Sequence, residues 1–242
     1  MAQDVTKPRV GTRPARYLIA ARRPLPILLF LLPLIALYAV GSIVFASGLA
    51  VGAEQTLDAI FGVFGVFGRH LPSIALITTY LILHLIRKDP WNVRPRTLAL
   101  MSLESIVLAL PLLVLSRALA MATLADTPVD PHDLELGARL TLAVGAGLFE
   151  ETLYRLVLIS VIHALAVDAL GLKNSTGWAI AILVSAGIFA AVHHLPPNAG
   201  TDATMIRAFY FIAAAYFGGV FASRGLGIAV GAHIVYDIAA LL

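Results

Sequence analysis

Hydrophobic and polar positions along the chain fall into long blocks. Apolar runs occupy Leu25–Ala46, Leu71–Ile86, Thr97–Leu115, Leu140–Leu172, Trp178–Val192, Ala208–Ala222 and Leu226–Leu242, divided by charged or turn-forming residues. A helix crosses a hydrocarbon core with about 20 such residues, so these runs predict membrane helices. Ala59 to Gly68, rich in Gly and Phe after a polar break at Gly52–Thr56, predicts a half-helix or the start of the next span. Leu140–Leu172 is longer than one crossing needs at about 1.5 Å per residue. It is either one long tilted helix or a span followed by a second helix. Lys173–Thr176 reads as a turn and Asn198–Arg207 as a loop, with Pro196 and Pro197 stopping the helix before it. The expected fold is all-α, a polytopic membrane helix bundle of about 6–8 transmembrane helices. Residues 25-242 form one transmembrane domain with a motif-bearing core at 140-242, preceded by a basic N-terminal segment, 1-24.

Composition supports this division. The 242 residues are 60% hydrophobic and 13% charged, where a soluble domain carries about 25% charged residues. With 0 cysteines, a disulfide framework and a thiolate metal site are both excluded. The net charge of +3 is small, and its basic residues lie beside apolar runs. That placement is a topology signal and not a nucleic-acid footprint. Lys7, Arg9, Arg13, Arg16, Arg22 and Arg23 face one acid, Asp4, before the first run. Arg87, Lys88, Arg94 and Arg96 follow the Leu71–Ile86 run. Both segments are therefore expected in the cytoplasm, and the acidic stretch Asp126–Glu135 outside. The first run exceeds a signal-peptide core and reads as a retained anchor, in the plasma or inner membrane.

Three polar groups interrupt the apolar runs. Glu150-Glu151-Thr152-Leu153-Tyr154-Arg155 lies within Leu140–Leu172. Glu151 and Arg155 are four apart and share a helical face, so they can pair. Glu150 shares a neighbouring face with Tyr154 and must find its partner on another helix or in a water. Phe189 and His193 share a face at the end of the Trp178–Val192 run. His194 points about 100° away on a regular helix and is the weaker candidate. His233 and Asp237 share a face in the last run, where the acid can orient the imidazole. Any one group alone has a plain structural use, as an interfacial ion pair or a polar link between helices. Three of them, each obliged to avoid lipid, are placed at least cost around one internal cavity. Glu104, His70, His84, His163 and Asp168 are singletons without a patterned partner, Glu104 being the one to watch. Gly145, Gly147, Gly187, Gly218, Gly219, Gly227 and Gly231 are expected at close helix approaches.

Glu150-Glu151-x-x-x-Arg155, Phe189-x-x-x-His193 and His233-x-x-x-Asp237, in this order and each in an apolar segment, resemble the CPBP family of intramembrane proteases. That family includes CAAX prenyl endopeptidases and bacterial abortive-infection or bacteriocin-immunity proteins. The likeness covers roughly Leu140 to Leu242. It implies a helical membrane fold around a water-filled cavity and a peptide or lipidated protein as substrate. Glu150 would activate water with His193. Glu151 and Arg155 would support that pair, while His233 and the residue four later would stabilise the oxyanion. Eukaryotic members usually carry Asn at that last position. Asp237 stands there in this chain, and it either donates when protonated or orients His233. The metalloprotease description of the family implies a possible zinc on Glu150, His193 and His233 with water in the open position. The alternative is a glutamate-activated water without metal; the chain has no His-Glu-x-x-His, and both readings stand at this point.

Two other functions fit the same residues. A non-catalytic binding or immunity protein would keep the fold and sequester a peptide. A proton-coupled transporter would use buried Glu, His and Asp as a relay, but no repeat of broken helices is visible in the two halves. The partners expected are membrane lipid and a peptide or lipidated protein substrate, and no nucleic acid.

Overall fold

A computed structural model describes residues 13–45, 52–63, 70–119, 134–193, 195 and 203–241. Among these residues the elements are helices: α1 Arg13–Ala20, α2 Pro24–Val44, α3 Gly52–Val63, α4 Leu71–Arg87, α5 Pro95–Ala118, α6 Leu136–Ala169, α7 Asn174–Val192, α8 Ala203–Arg224 and α9 Leu226–Leu241. Five are long and apolar enough to cross a membrane, namely α2, α5, α6, α7 and α8, and α4 and α9 are shorter apolar helices. The chain is thus an integral membrane protein with an all-α bundle. Prolines stand in the first turn of α2, α4 and α5, Pro72 being the second residue of α4. Pro24 and Pro95 occupy first-turn positions, where a missing N–H costs nothing.

Several boundaries differ from the sequence expectation. Leu136–Ala169 is one continuous helix of 34 residues, about 50 Å long at 1.5 Å per residue. It resolves the Leu140–Leu172 alternative in favour of a single long helix. The helix expected at Ala59–Gly68 begins earlier, at Gly52, because Glu54 is buried instead of marking a solvent break; residues 64–69 lie outside the described set. The turn read at Lys173–Thr176 gives way at Asn174, and the loop read to Arg207 gives way at Ala203. Polar residues at a helix end lie at the membrane surface, so hydropathy understates the helix there. The short helix α1 falls within the segment read only as basic and polar. His194, residues 126–133 of the acidic stretch and residues 196–202 lie outside the described residues.

Helix α9 is the axis of the bundle. Leu226, Ile228, Ala229, Val230 and Ala232 are fully buried along it, and it packs on α5, α6 and α8. Outward-facing apolar residues such as Val63, Ile86 and Val114 are 83%, 70% and 69% exposed, as side chains facing lipid must be. Helices α6 and α9 approach closely at Gly147. A Cβ there would sit 3.1 Å from the Ile234 backbone N and 3.2 Å from the Val230 carbonyl. Gly187 and Gly219, also expected at contacts, have nothing within 4 Å and do not serve that role. Gly225, with φ +86, makes the sharp turn from α8 into α9.

Helices α7 and α8 run antiparallel. Trp178 and Phe221 rings lie 6.3 Å apart at one end, and Arg207 Nη1 donates to the Ala190 carbonyl at 2.8 Å at the other. The Trp178 end is also where α1 docks. Glu104 on α5 accepts from the Tyr17 hydroxyl and from Arg224, whose Nη2 donates at 2.8 Å. Arg22 donates to the Ala222 carbonyl at 3.2 Å. Arg23 and Asp89 form an ion pair of 3.7 Å, which brings the loop after α4 to the same end.

Candidate active site

The backbone changes register where the sequence places its two adjacent acids. After Glu150 the α-helical pattern of α6 passes into a π-helical stretch, Glu151–Ile159. Such segments are uncommon and cluster at functional sites. A wider turn disturbs the ladder of backbone hydrogen bonds, and buried carbonyls must then be met by side chains. Ser185 on α7 donates its hydroxyl to the Tyr154 carbonyl at 2.9 Å, and Thr152 donates to the Leu148 carbonyl at 2.6 Å.

All six residues singled out from the sequence are buried and converge. Glu151 and Arg155 are 0% and 1% exposed, and Glu151 Oε1 lies 3.2 Å from Arg155 Nη1. The same oxygen is 2.8 Å from His233 Nδ1 on α9. Glu151 therefore holds both a cation on its own helix and an imidazole on another. His193 Nδ1 lies 2.7 Å from the Phe189 carbonyl, one turn back along α7. A carbonyl only accepts, so this nitrogen carries the proton. Glu151, when ionised, makes the same demand of His233. Both rings then turn Nε2 toward Glu150, and each Nε2 lies 3.8 Å from Glu150 Oε2. Asp237 Oδ2 is 3.5 Å from the same His233 Nε2.

Aromatic rings fix the imidazoles. Phe189 stacks on His193 with centroids 3.8 Å apart, and Phe217 stacks on His233 at 4.8 Å. The Arg155 guanidinium spans both, 5.0 Å from the Phe189 centroid and 5.7 Å from that of Phe217. One arginine thus underpins both histidine stacks while neutralising Glu151. Between them is a cavity of about 40 Å³, enough for a water or two. Its wall includes Glu150, His193, His233 and Asp237 with Phe209, Tyr210 and Phe217.

Three carboxyl groups face one guanidinium and two imidazoles. The cluster approaches neutrality only when the imidazoles or carboxyls hold extra protons, and these protons belong to the cluster as a unit. A lone pair on each Nε2 opposite a carboxylate oxygen is repulsive at this distance unless a proton or a water lies between. One water can stand about 2.8 Å from all three atoms.

The residues do not fit a zinc centre. Ligand atoms about 2.1 Å from a tetrahedral ion lie about 3.4 Å apart, and the separations from Glu150 are 3.8 Å. No group of three His, Cys, Asp or Glu side chains among the described residues is arranged to hold a metal.

Sequence reading missed three parts of this site. The Glu151–His233 bond joins residues 82 positions apart, and no local spacing reveals it. Arg207, read as part of a loop, caps the last carbonyls of α7 beside His193. Phe217 and Tyr210 looked like ordinary span residues, yet Tyr210 lies 5.3 Å from the His193 ring. An aromatic at a helix face facing a known histidine was the available signal for Phe189 alone.

A comparison with protein-family models matches residues 133–239 to the family described as type II CAAX prenyl endopeptidase Rce1-like. Searches of curated proteins and of solved structures returned no match. The matched segment runs from just before α6 to near the end of α9, so it contains every residue of the cluster. Residues 133–239 are thus similar to the type II CAAX prenyl endopeptidase Rce1-like family, in agreement with the resemblance carried by the three motifs.

Proposed function

We propose that the protein is an intramembrane endopeptidase that hydrolyses a peptide bond of a membrane-associated or lipidated substrate with an activated water. The observation that carries this reading is the convergence of Glu150 with two imidazoles, each held with Nε2 inward, on one water-sized cavity inside the bundle. The similarity of residues 133–239 to the Rce1-like family supports the same class of chemistry. In the reading, Glu150 and His193 take the proton as the water oxygen attacks the scissile carbonyl carbon. The carbonyl oxygen becomes an oxyanion and receives a hydrogen bond from His233 Nε2–H. His233 donates there in its doubly protonated form, whose charge Glu151 and Asp237 balance. The tetrahedral intermediate then collapses, the C–N bond breaks, and the departing amine takes the proton back from the Glu150–His193 pair. Arg155 and Glu151 act as positioning residues. Asp237 serves here by its carboxylate beside His233, so an Asn at that position is not required for the oxyanion bond.

The test uses purified protein in mixed micelles, a fluorogenic peptide ending in a farnesylated CAAX sequence, and the same peptide without the lipid. Cleavage of at least one peptide is expected, with kcat falling by about a hundredfold or more in Glu150→Gln. If wild type and Glu150→Gln yield product equally, or neither yields any while the peptide still binds, the protease reading fails. The non-catalytic binding or immunity reading then takes its place.

A further inference from the structure

A second hollow lies away from the cluster of Glu150, His193 and His233. It is a cleft of about 940 Å³ between α1 and the loop that leads into α5. Four arginines from three chain segments line it: Arg16 on α1, Arg23 before α2, and Arg94 and Arg96 at the start of α5. No acidic side chain lines it among the described residues. The nearby acid Glu104 is engaged by Arg224 and Tyr17, and Asp89 pairs with Arg23. Asn92 and Thr97 add neutral hydrogen-bonding groups to the wall.

The surroundings of the cleft are those of a membrane surface. Ile19 lines the cleft and is 63% exposed, with Leu18 exposed next to it in the chain, and Trp91, between the lining residues Pro90 and Asn92, is 64% exposed with its ring edge-on to His84. An indole and branched aliphatic side chains exposed next to arginines are what the headgroup boundary of a bilayer accommodates. A soluble anion would gain nothing from these apolar flanks, whereas a phospholipid would place its acyl chains against them. Arginine suits a phosphate through its paired N–H groups.

We propose that this cleft binds the phosphate of an anionic phospholipid headgroup from the leaflet that meets the basic end of the bundle. A lipid there bridges α1 to the start of α5, the same elements that Tyr17 and Glu104 join. It therefore holds the N-terminal helix on the bundle through a second contact. This site is separate from the proteolytic reading and does not depend on it.

Native mass spectrometry of the detergent-purified full chain, titrated with phosphatidylglycerol or phosphatidylcholine, tests the proposal. Phosphatidylglycerol should bind saturably and more tightly than phosphatidylcholine. The double variant Arg94→Gln/Arg96→Gln should weaken it by about tenfold or more, and Arg87→Gln/Lys88→Gln, whose side chains do not line the cleft, by less than about twofold. Both variant pairs are exposed, and circular dichroism should show unchanged helix content. Arg16→Gln on its own should also weaken binding and serves if the double variant misfolds. Equal binding of the two lipids overturns the proposal, as does an equal loss in both double variants, which would mean a diffuse surface charge. Competition by soluble glycerol phosphate at matched concentration would assign the cleft to a free phosphate and reject the lipid.

Discussion

Glu150 and Glu151 are adjacent in sequence and differ in surroundings. Glu151 is fully enclosed between Arg155 and His233, at 3.2 Å and 2.8 Å. Glu150 has its imidazole neighbours at 3.8 Å and borders the cavity. Removing charge from Glu151 strands Arg155 in the interior, so Glu151→Gln should lose stability as well as turnover, whereas Glu150→Gln should lose turnover alone. Thermal unfolding in detergent separates the two. Arg155→Leu should be the harsher single change, because it leaves a buried acid without its cation and removes the support under Phe189 and Phe217. Breaking a buried pair from one side costs about 3–5 kcal/mol. The double variant Glu151→Gln/Arg155→Leu should recover part of that loss. Equal stability of Arg155→Leu and the double variant would show that the pair carries no net charge penalty. Residues that act as a unit are not additive, so Glu150→Gln/His193→Ala should turn over hardly more slowly than either single variant.

Gly147 shows how an element places the site. It stands one turn before Glu151, where α6 meets the α9 backbone at Val230 and Ile234. A methyl group there must push backbone against backbone, and such overpacking costs about 1–3 kcal/mol. Gly147→Ala should lower the unfolding temperature and separate Glu151 from His233, reducing turnover more than Gly187→Ala, where nothing lies within 4 Å. Comparable behaviour of the two variants would mean that the approach of α6 and α9 does not set the site. The same elements show what the sequence could reveal. The spans were legible because lipid-facing residues must be apolar, and the three polar groups were legible because each repeats at four residues within such a run. Both are local signals. The π-helical stretch, the Glu151–His233 bond and the Arg155 platform depend on which helices meet, and i, i+4 spacing holds no record of that. Glu104 is the clearest case: without a partner in its own helix, it is bound by Arg224 from α8 and Tyr17 from α1. Helix ends were misjudged at Gly52, Asn174 and Ala203 because polar residues in a membrane protein mark the water boundary and not the end of hydrogen bonding.

Among the described residues, basic side chains gather at one end of the bundle. Arg16, Arg22 and Arg23 join Arg87, Lys88, Arg94 and Arg96 at the end where α1 docks. Helix α8 finishes at that end with Arg224 on Glu104. Because α7 runs antiparallel to α8, its last residues and His193 lie at the other end, held there by Arg207. Basic residues beside spans are retained in the cytoplasm. The basic end is therefore expected to face the cytoplasm, and the half of the bundle that contains His193 to face away from it. With 0 native cysteines, single-cysteine variants report this without background. Asn92→Cys, in the loop before α5, should react with a membrane-impermeant maleimide only when the cytoplasmic side is open. Thr204→Cys, exposed at the start of α8, should react in intact cells. Orientation by charge and orientation by helix direction are independent, so the two labels can disagree. Reaction of Asn92→Cys from outside would reverse the whole assignment. Reaction of both cysteines from one side would break the antiparallel α7–α8 arrangement on which the position of His193 rests. The expected pair of results confines a proteolytic substrate to one whose scissile bond reaches the non-cytoplasmic half of the bilayer.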